Sequence, residues 1–146
     1  MSKKIIAIHS ISVRTRKEFW PKADLSKHFT TWMQESKDAH LLQLAEHKRE
    51  YYVTYVQSDR LLMASGLSIS IQASLTHYCT PRVHVPCAEY TEFELGYPNW
   101  NVPALNQWEE DCGWGGIYPH TPKEVIEEVI AANGGVVGYD IKKRVD

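Results

Sequence analysis

Residues 67–73, LSISIQA, alternate apolar and polar side chains without a break. Successive side chains on a strand point to opposite faces, so Leu67, Ile69, Ile71 and Ala73 share one side and Ser68, Ser70 and Gln72 the other. Such a strand belongs to a sheet with one face on a core and the other open to solvent, the usual state of an antiparallel sheet. Residues 90–95 repeat the pattern. Thr91, Phe93 and Leu95 oppose Tyr90, Glu92 and Glu94, and Gly96 and Pro98 stop the strand.

The flanking segments supply helices. Thr121-Pro122-Lys123-Glu124 reads as a capping box with proline at the first helical position. Val125, Ile126, Val129 and Ile130 then form an apolar stripe, Asn133-Gly134-Gly135 a left-handed stop, and residues 136–141 a returning strand. Toward the N-terminus, Asp24 is a candidate N-cap for a helix carrying Leu25, Phe29, Trp32 and Met33 on one face, and Ser36 for a second carrying Leu41, Leu42, Leu44 and Ala45. Residues 4–12 and 51–56 read as strands, and 61–64 fits either a strand or a helix. Ser58-Asp59 reads as a turn. Residues 99–116 form a long irregular loop with three Trp, three Gly and the acidic run Glu109, Glu110, Asp111. The fold expected is α+β, a single domain over residues 1–146. A mostly antiparallel sheet has two N-terminal helices and one C-terminal helix on one face, and a subdomain seam falls near Gly66.

Composition narrows the functional classes. Residues 1–66 carry eleven Lys/Arg against seven Asp/Glu, and residues 67–146 carry five against eleven. This dipolar distribution favours homo-oligomer formation, basic face to acidic face. The total, a net charge of −2, disfavours general nucleic-acid binding. Arg14, Arg16 and Lys17 with Phe19 and Trp20 form only a small basic–aromatic patch. Three cysteines, at 79, 87 and 112, do not make a disulfide framework and point to a reducing compartment. The apolar run near the N-terminus is too short for a secretory core, and no stretch is long enough for a membrane span, so a cytoplasmic location is expected.

Chemistry-bearing residues concentrate between the two alternating strands. His77, Cys79, His84 and Cys87 are zinc-type ligands spaced H-x-C-x4-H-x2-C, although two ligands two apart on a strand stand about 7 Å apart. Cys79 beside His77 and Arg82 is a candidate nucleophile. Glu92 and Glu94 share a strand face and form a carboxylate pair. His77, Tyr78, Thr80 and Arg82 together offer donors to a phosphate or carboxylate, with an acidic residue opposite to orient Arg82 or to accept from ribose hydroxyls. Neither a phosphate-binding loop nor a dinucleotide fingerprint is present.

The run SIQAS–HYCTPR–YTEFELGYP, followed by the helix TPKEVIEEVIAANGG, resembles small, mostly uncharacterised phage and prophage proteins over residues 67–137. Some phage proteins of this size are anti-defence sponges, homo-oligomers that trap cyclic-nucleotide or ADP-ribose signals without cleaving them. The resemblance implies that Arg82 and its neighbours hold the signal in the host-cell cytoplasm. The expectation is therefore a non-enzymatic accessory protein that uses no cofactor and no catalytic residue. It binds a phosphate-bearing small molecule through His77, Tyr78, Thr80, Arg82, Tyr90 and Glu94, with Trp108 or Trp114 closing over the ligand. The alternatives are an inhibitor that grips a host protein through loop 99–116, and a zinc-dependent or carboxylate-based enzyme.

Overall fold

The structure, a computed structural model, describes residues 23–46, 57–110 and 116–139. The strands expected at 4–12 and 51–56 lie outside these residues. The elements run α1 (Phe29–Glu46), β1 (Leu61–Met63), β2 (Ser68–Gln72), β3 (Glu92–Gly96), β4 (Ile117–Pro122), α2 (Lys123–Ala132) and β5 (Val136–Tyr139). Short 3-10 turns at Cys87–Glu89 and Pro103–Trp108 interrupt the connections. The strands form one five-stranded sheet in the order β4-β3-β2-β1-β5, and every neighbouring pair is antiparallel. The ambiguous segment 61–64 is thus a strand through Met63, followed by a turn, and the fold is α+β.

The alternation in β2 and β3 orients the sheet. Ile69, Ile71, Phe93 and Leu95 are buried, while Ser68, Ser70, Glu92 and Glu94 stand on the partly open face. Phe29, Trp32 and Met33 of α1 and Ile126 and Val129 of α2 join the same buried cluster as Ile69, Ile71, Phe93 and Leu95. Both helices therefore cover one side of the sheet. Aromatic edges lock the layers: Phe29 meets Phe93 at 5.2 Å between ring centroids, and Trp32 meets Tyr139 at 6.1 Å, both edge-to-face.

The expected pair of N-terminal helices is a single helix. Ser36 does not start a second one. Its hydroxyl donates to the Met33 carbonyl at 3.0 Å, a bond within the helix, and accepts the Asp59 N–H at 3.0 Å. Asp24 is not the cap either. Its carboxylate accepts the Ser26 N–H in a turn ahead of the helix, and Leu25 is 82% exposed there. His28 caps instead: its Nδ1 accepts the Thr30 N–H at 3.2 Å, and its Nε2 meets Glu127 of α2 at 2.5 Å.

The capping box at α2 is also unmade. Pro122 occupies the cap position without a side-chain bond, and Thr121 donates back to the Tyr118 carbonyl at 3.0 Å. The described part of loop 99–116, residues 99–110 and 116, holds more structure than a long irregular segment implies. Val102 and Leu105 are buried, the Glu110 N–H donates to the Ile117 carbonyl at 2.8 Å, and the Glu109 carboxylate accepts the Gly116 N–H at 2.9 Å. Gly66 lies in the turn joining β1 to β2, so β1, on its N-terminal side, pairs with strands that follow it.

The stop after α2 predicts a contrast between two glycines. Gly135 has φ +89°, and a Cβ there would approach Leu25 to 2.6 Å and Ala23 to 2.9 Å, whereas one on Gly96 would meet only ordinary contacts of 3.6 Å and beyond. Gly135→Ala is expected to cost at least ~1 kcal/mol, and Gly96→Ala to be neutral or to stabilise by a few tenths to ~1 kcal/mol, in urea unfolding of the two variants.

Candidate functional site

The open face of the sheet carries a groove of about 290 Å³ lined by Ser58, Asp59, Arg60, Ser70, Gln72, His77, Glu94, Gly96 and Tyr97, with Gln57, Leu95 and Ile117 completing its wall. Register places its floor. Gln72 lies opposite Glu94, and Ser70 opposite Gly96. Gly96 contributes no side chain, and a Cβ there would stand 3.8 Å from that of Ser70 and 3.6 Å from Ile117. The groove is deep at this point because the residue is glycine.

The near wall is built by a side chain acting as a strand. The Gln72 amide accepts the Ser58 N–H at 3.0 Å and donates to the Ser58 carbonyl at 2.8 Å, the reciprocal pattern of a ladder rung. It also donates to Ser70 at 2.9 Å, so both of its N–H donors are used, while the single Ser58 hydroxyl proton goes to the Ile71 carbonyl at 2.5 Å with the Gln72 oxygen 3.2 Å away. Ser58 and Asp59 are buried rather than the exposed turn their residue types imply. Asp59 faces His40 of α1, both carboxylate oxygens standing 3.2 Å from Nε2. The Arg60 guanidinium donates to the Ser68 hydroxyl and carbonyl and to the Tyr97 carbonyl, clasping one end of the groove.

Two groups in the groove remain open to a ligand. His77 is only 8% exposed, and its Nδ1 is held by the Ser74 hydroxyl at 2.6 Å. Nε2 has no protein partner among the described residues and is not sealed from solvent, and the residue lines the groove. Glu94 accepts the Tyr78 N–H through Oε1 at 2.8 Å, leaving Oε2 without a protein partner among the described residues. Burial pulls the His77 imidazole below its ordinary value, against the Glu94 carboxylate, which raises it, and with Lys37, Arg82 and His84 lowering it further. The ring is therefore neutral at pH 7.

The remaining candidate residues separate into other roles. Thr80 is exposed and donates to the Glu92 carboxylate at 2.7 Å, and His120 stands 3.2 Å from the same oxygen. Glu92 is thus drawn toward β4 while Glu94 faces the groove, so the carboxylate pair does not converge. Arg82 is locked onto neither glutamate and does not line the groove. Its Nε donates to the Leu75 carbonyl at 3.1 Å, and its guanidinium lies 5.0 Å from the exposed Tyr78 ring. Tyr90 is a core residue whose hydroxyl donates to the Val83 carbonyl at 2.6 Å and accepts the Val85 N–H. Trp108 packs against the core rather than over the groove, and Trp114 lies outside the described residues.

The zinc-type residues are not gathered. Among the described residues no group of three or more His, Cys, Asp or Glu side chains is placed to hold a metal ion. Cys79 and Cys87 are buried, and burial pushes both thiols up, away from the thiolate that a ligand or nucleophile requires. The sequence pattern put Ser70 and Gln72 on the polar side of one strand and Glu94 on one side of another, but the contribution of residues 58–60 was hidden by their turn-like composition.

The sequence matches no protein-family model, and neither a curated protein nor a solved structure matches it. Among the described residues no helix is long and apolar enough to cross a membrane.

The neutral, buried imidazole has a measurable consequence. Because the folded-state value of His77 lies below its ordinary 6.5, the unfolded chain binds the proton first. The stability tied to this group is complete above that pH and is lost as pH falls through the window beneath it. In urea unfolding from pH 8 to pH 5, the wild type is expected to lose stability relative to His77→Gln as pH drops. A difference between the two that does not change with pH would contradict a buried neutral ring.

Proposed function

We propose that the protein binds a small hydroxyl- and phosphate-bearing molecule, a nucleotide-derived compound, in the groove above β2 and β3, and does so without catalysis. The observation that supports this reading is that His77, buried and held by Ser74, and the half-buried Glu94, held by the Tyr78 N–H, line the same groove, each with one polar atom left without a protein partner among the described residues. A carboxylate accepts well from vicinal ribose hydroxyls, and the Ser70 hydroxyl beside it offers a further polar contact. The groove volume approaches the lower bound of small-molecule sites, about 300 Å³. Taken with the resemblance of residues 67–137 to small phage proteins, the role proposed is a homo-oligomeric anti-defence accessory that sequesters a signal in the host cytoplasm.

Isothermal titration of the full chain with cyclic AMP, ADP-ribose and adenosine tests the reading. At least one of the two phosphate-bearing members, cyclic AMP or ADP-ribose, is expected to bind more tightly than adenosine. Glu94→Gln is expected to weaken that binding at least tenfold, and Gly96→Val, which fills the floor, to abolish it while leaving the far-UV circular dichroism unchanged. Absence of binding by every member sinks the proposal.

A second reading, an inhibitor that grips a host protein, is favoured by one feature: Tyr97, just ahead of loop 99–116, and Trp100 within it are 63% and 41% exposed. Aromatic side chains of this kind anchor interfaces. That reading expects one stoichiometric partner from host lysate, lost with Trp100→Ala and unaffected by Glu94→Gln.

A further inference from the structure

We propose that His77 is the phosphate anchor of the groove and that it takes up a proton when the ligand binds. The inference rests on the binding reading above and names the recognition chemistry of the same site.

The geometry leaves His77 a single free function. It is more than nine-tenths buried, it lines the groove, its Nδ1 is tied to Ser74, and its Nε2 has no protein partner among the described residues and is not sealed from solvent. Ser74 can serve either ring tautomer, because a hydroxyl donates or accepts. Its Oγ also accepts the Thr76 N–H at 3.1 Å and lies 3.0 Å from the Thr76 hydroxyl, so the hydroxyl can turn when the ring becomes doubly protonated. The imidazolium then presents an N–H from Nε2, and an anionic oxygen is its natural acceptor.

The charged groups around the ring set the balance. Glu94 of β3 favours the cation. Lys37 of α1, together with Arg82 and His84 of the connection between β2 and β3, opposes it, as does burial. Asp59 and Arg60 line the same groove from the segment before β1. In the free protein the opposing influences win and the ring is neutral. A phosphodiester placed against Nε2 adds a second negative charge beside Glu94 and reverses the balance. The proton comes from solvent and ends on the imidazole, and no other bond forms or breaks. A neutral nucleoside supplies no such charge, so His77 selects the phosphate-bearing ligand over its phosphate-free counterpart.

The probes are cyclic AMP and ADP-ribose, with adenosine as the phosphate-free control. Phosphate monoesters are avoided because they titrate near pH ~6 themselves. Titration of the full chain in buffers of different ionisation enthalpy, from pH 6 to pH 8, is expected to show uptake of about half to one proton near pH 7. Affinity should rise by up to about tenfold per unit fall in pH over that range. His77→Gln is expected to bind with affinity independent of pH and no proton uptake. Should that variant misfold, the His77 ring resonances of the wild type, followed by NMR, are expected to titrate below pH 6.5 in the free protein and above it in the complex. Binding that is independent of pH in the wild type, or equally dependent on pH in His77→Gln, overturns the inference and leaves the binding reading intact. Failure of every probe to bind at any pH overturns both.

Discussion

The Gln72 amide holds the groove together. A backbone strand laid beside the end of β2 would have zipped the sheet and covered its edge. Instead a single side chain reproduces one rung, donating to and accepting from Ser58, and it spends its second donor on Ser70, while the Ser58 hydroxyl donates to the Ile71 carbonyl. The segment 57–60 is therefore held largely through side chains, at Ser58, Asp59 and Arg60 in turn, rather than by a continuous backbone ladder. The space between that segment and the face of β3 is the groove. A buried amide with every partner in place rigidifies its surroundings, whereas a half-satisfied one would leave costly orphan groups.

From that wall the other features follow. With Ser58 pinned, Asp59 is carried inward to His40 and to the Ser36 hydroxyl, which ties the groove to α1. Arg60 is carried to Ser68 and Tyr97, which ties it to the ends of β2 and β3. Those side chains are occupied by structure. His77 and Glu94, each held by one bond from the connection between β2 and β3, keep their second functional atom for the cavity. The division between wall and contact groups is thus a matter of counting hydrogen-bond capacity.

The fold was largely legible in the residues, and the site only partly. Alternation at 67–73 and 90–95 specified two strands, their faces and an antiparallel sheet, because burial on one face leaves no other register. The apolar stripe at 125–130 and the glycines after it specified α2 and its end. Ser36, by contrast, is a good cap by type and a mid-helix residue in fact, since it found partners on either side of itself. Among site residues, Glu94 and His77 were visible as polar groups at strand ends. Tyr90 was read the same way, yet it is turned into the core and bonded to the Val83 carbonyl.

Local pattern alone determined that this chain makes a one-sided sheet backed by helices, with serines, Gln72 and glutamates along the uncovered face. Periodicity of two and of 3.6 is a property of neighbours in the chain, and burial selects it directly. Tertiary structure decided which of those polar groups are spent on each other and which are left facing a cavity. Ser58 reaches Gln72 across 14 residues, and Tyr78 reaches Glu94 across 16. Such pairings depend on how strands are laid side by side, and no spacing along the chain encodes them.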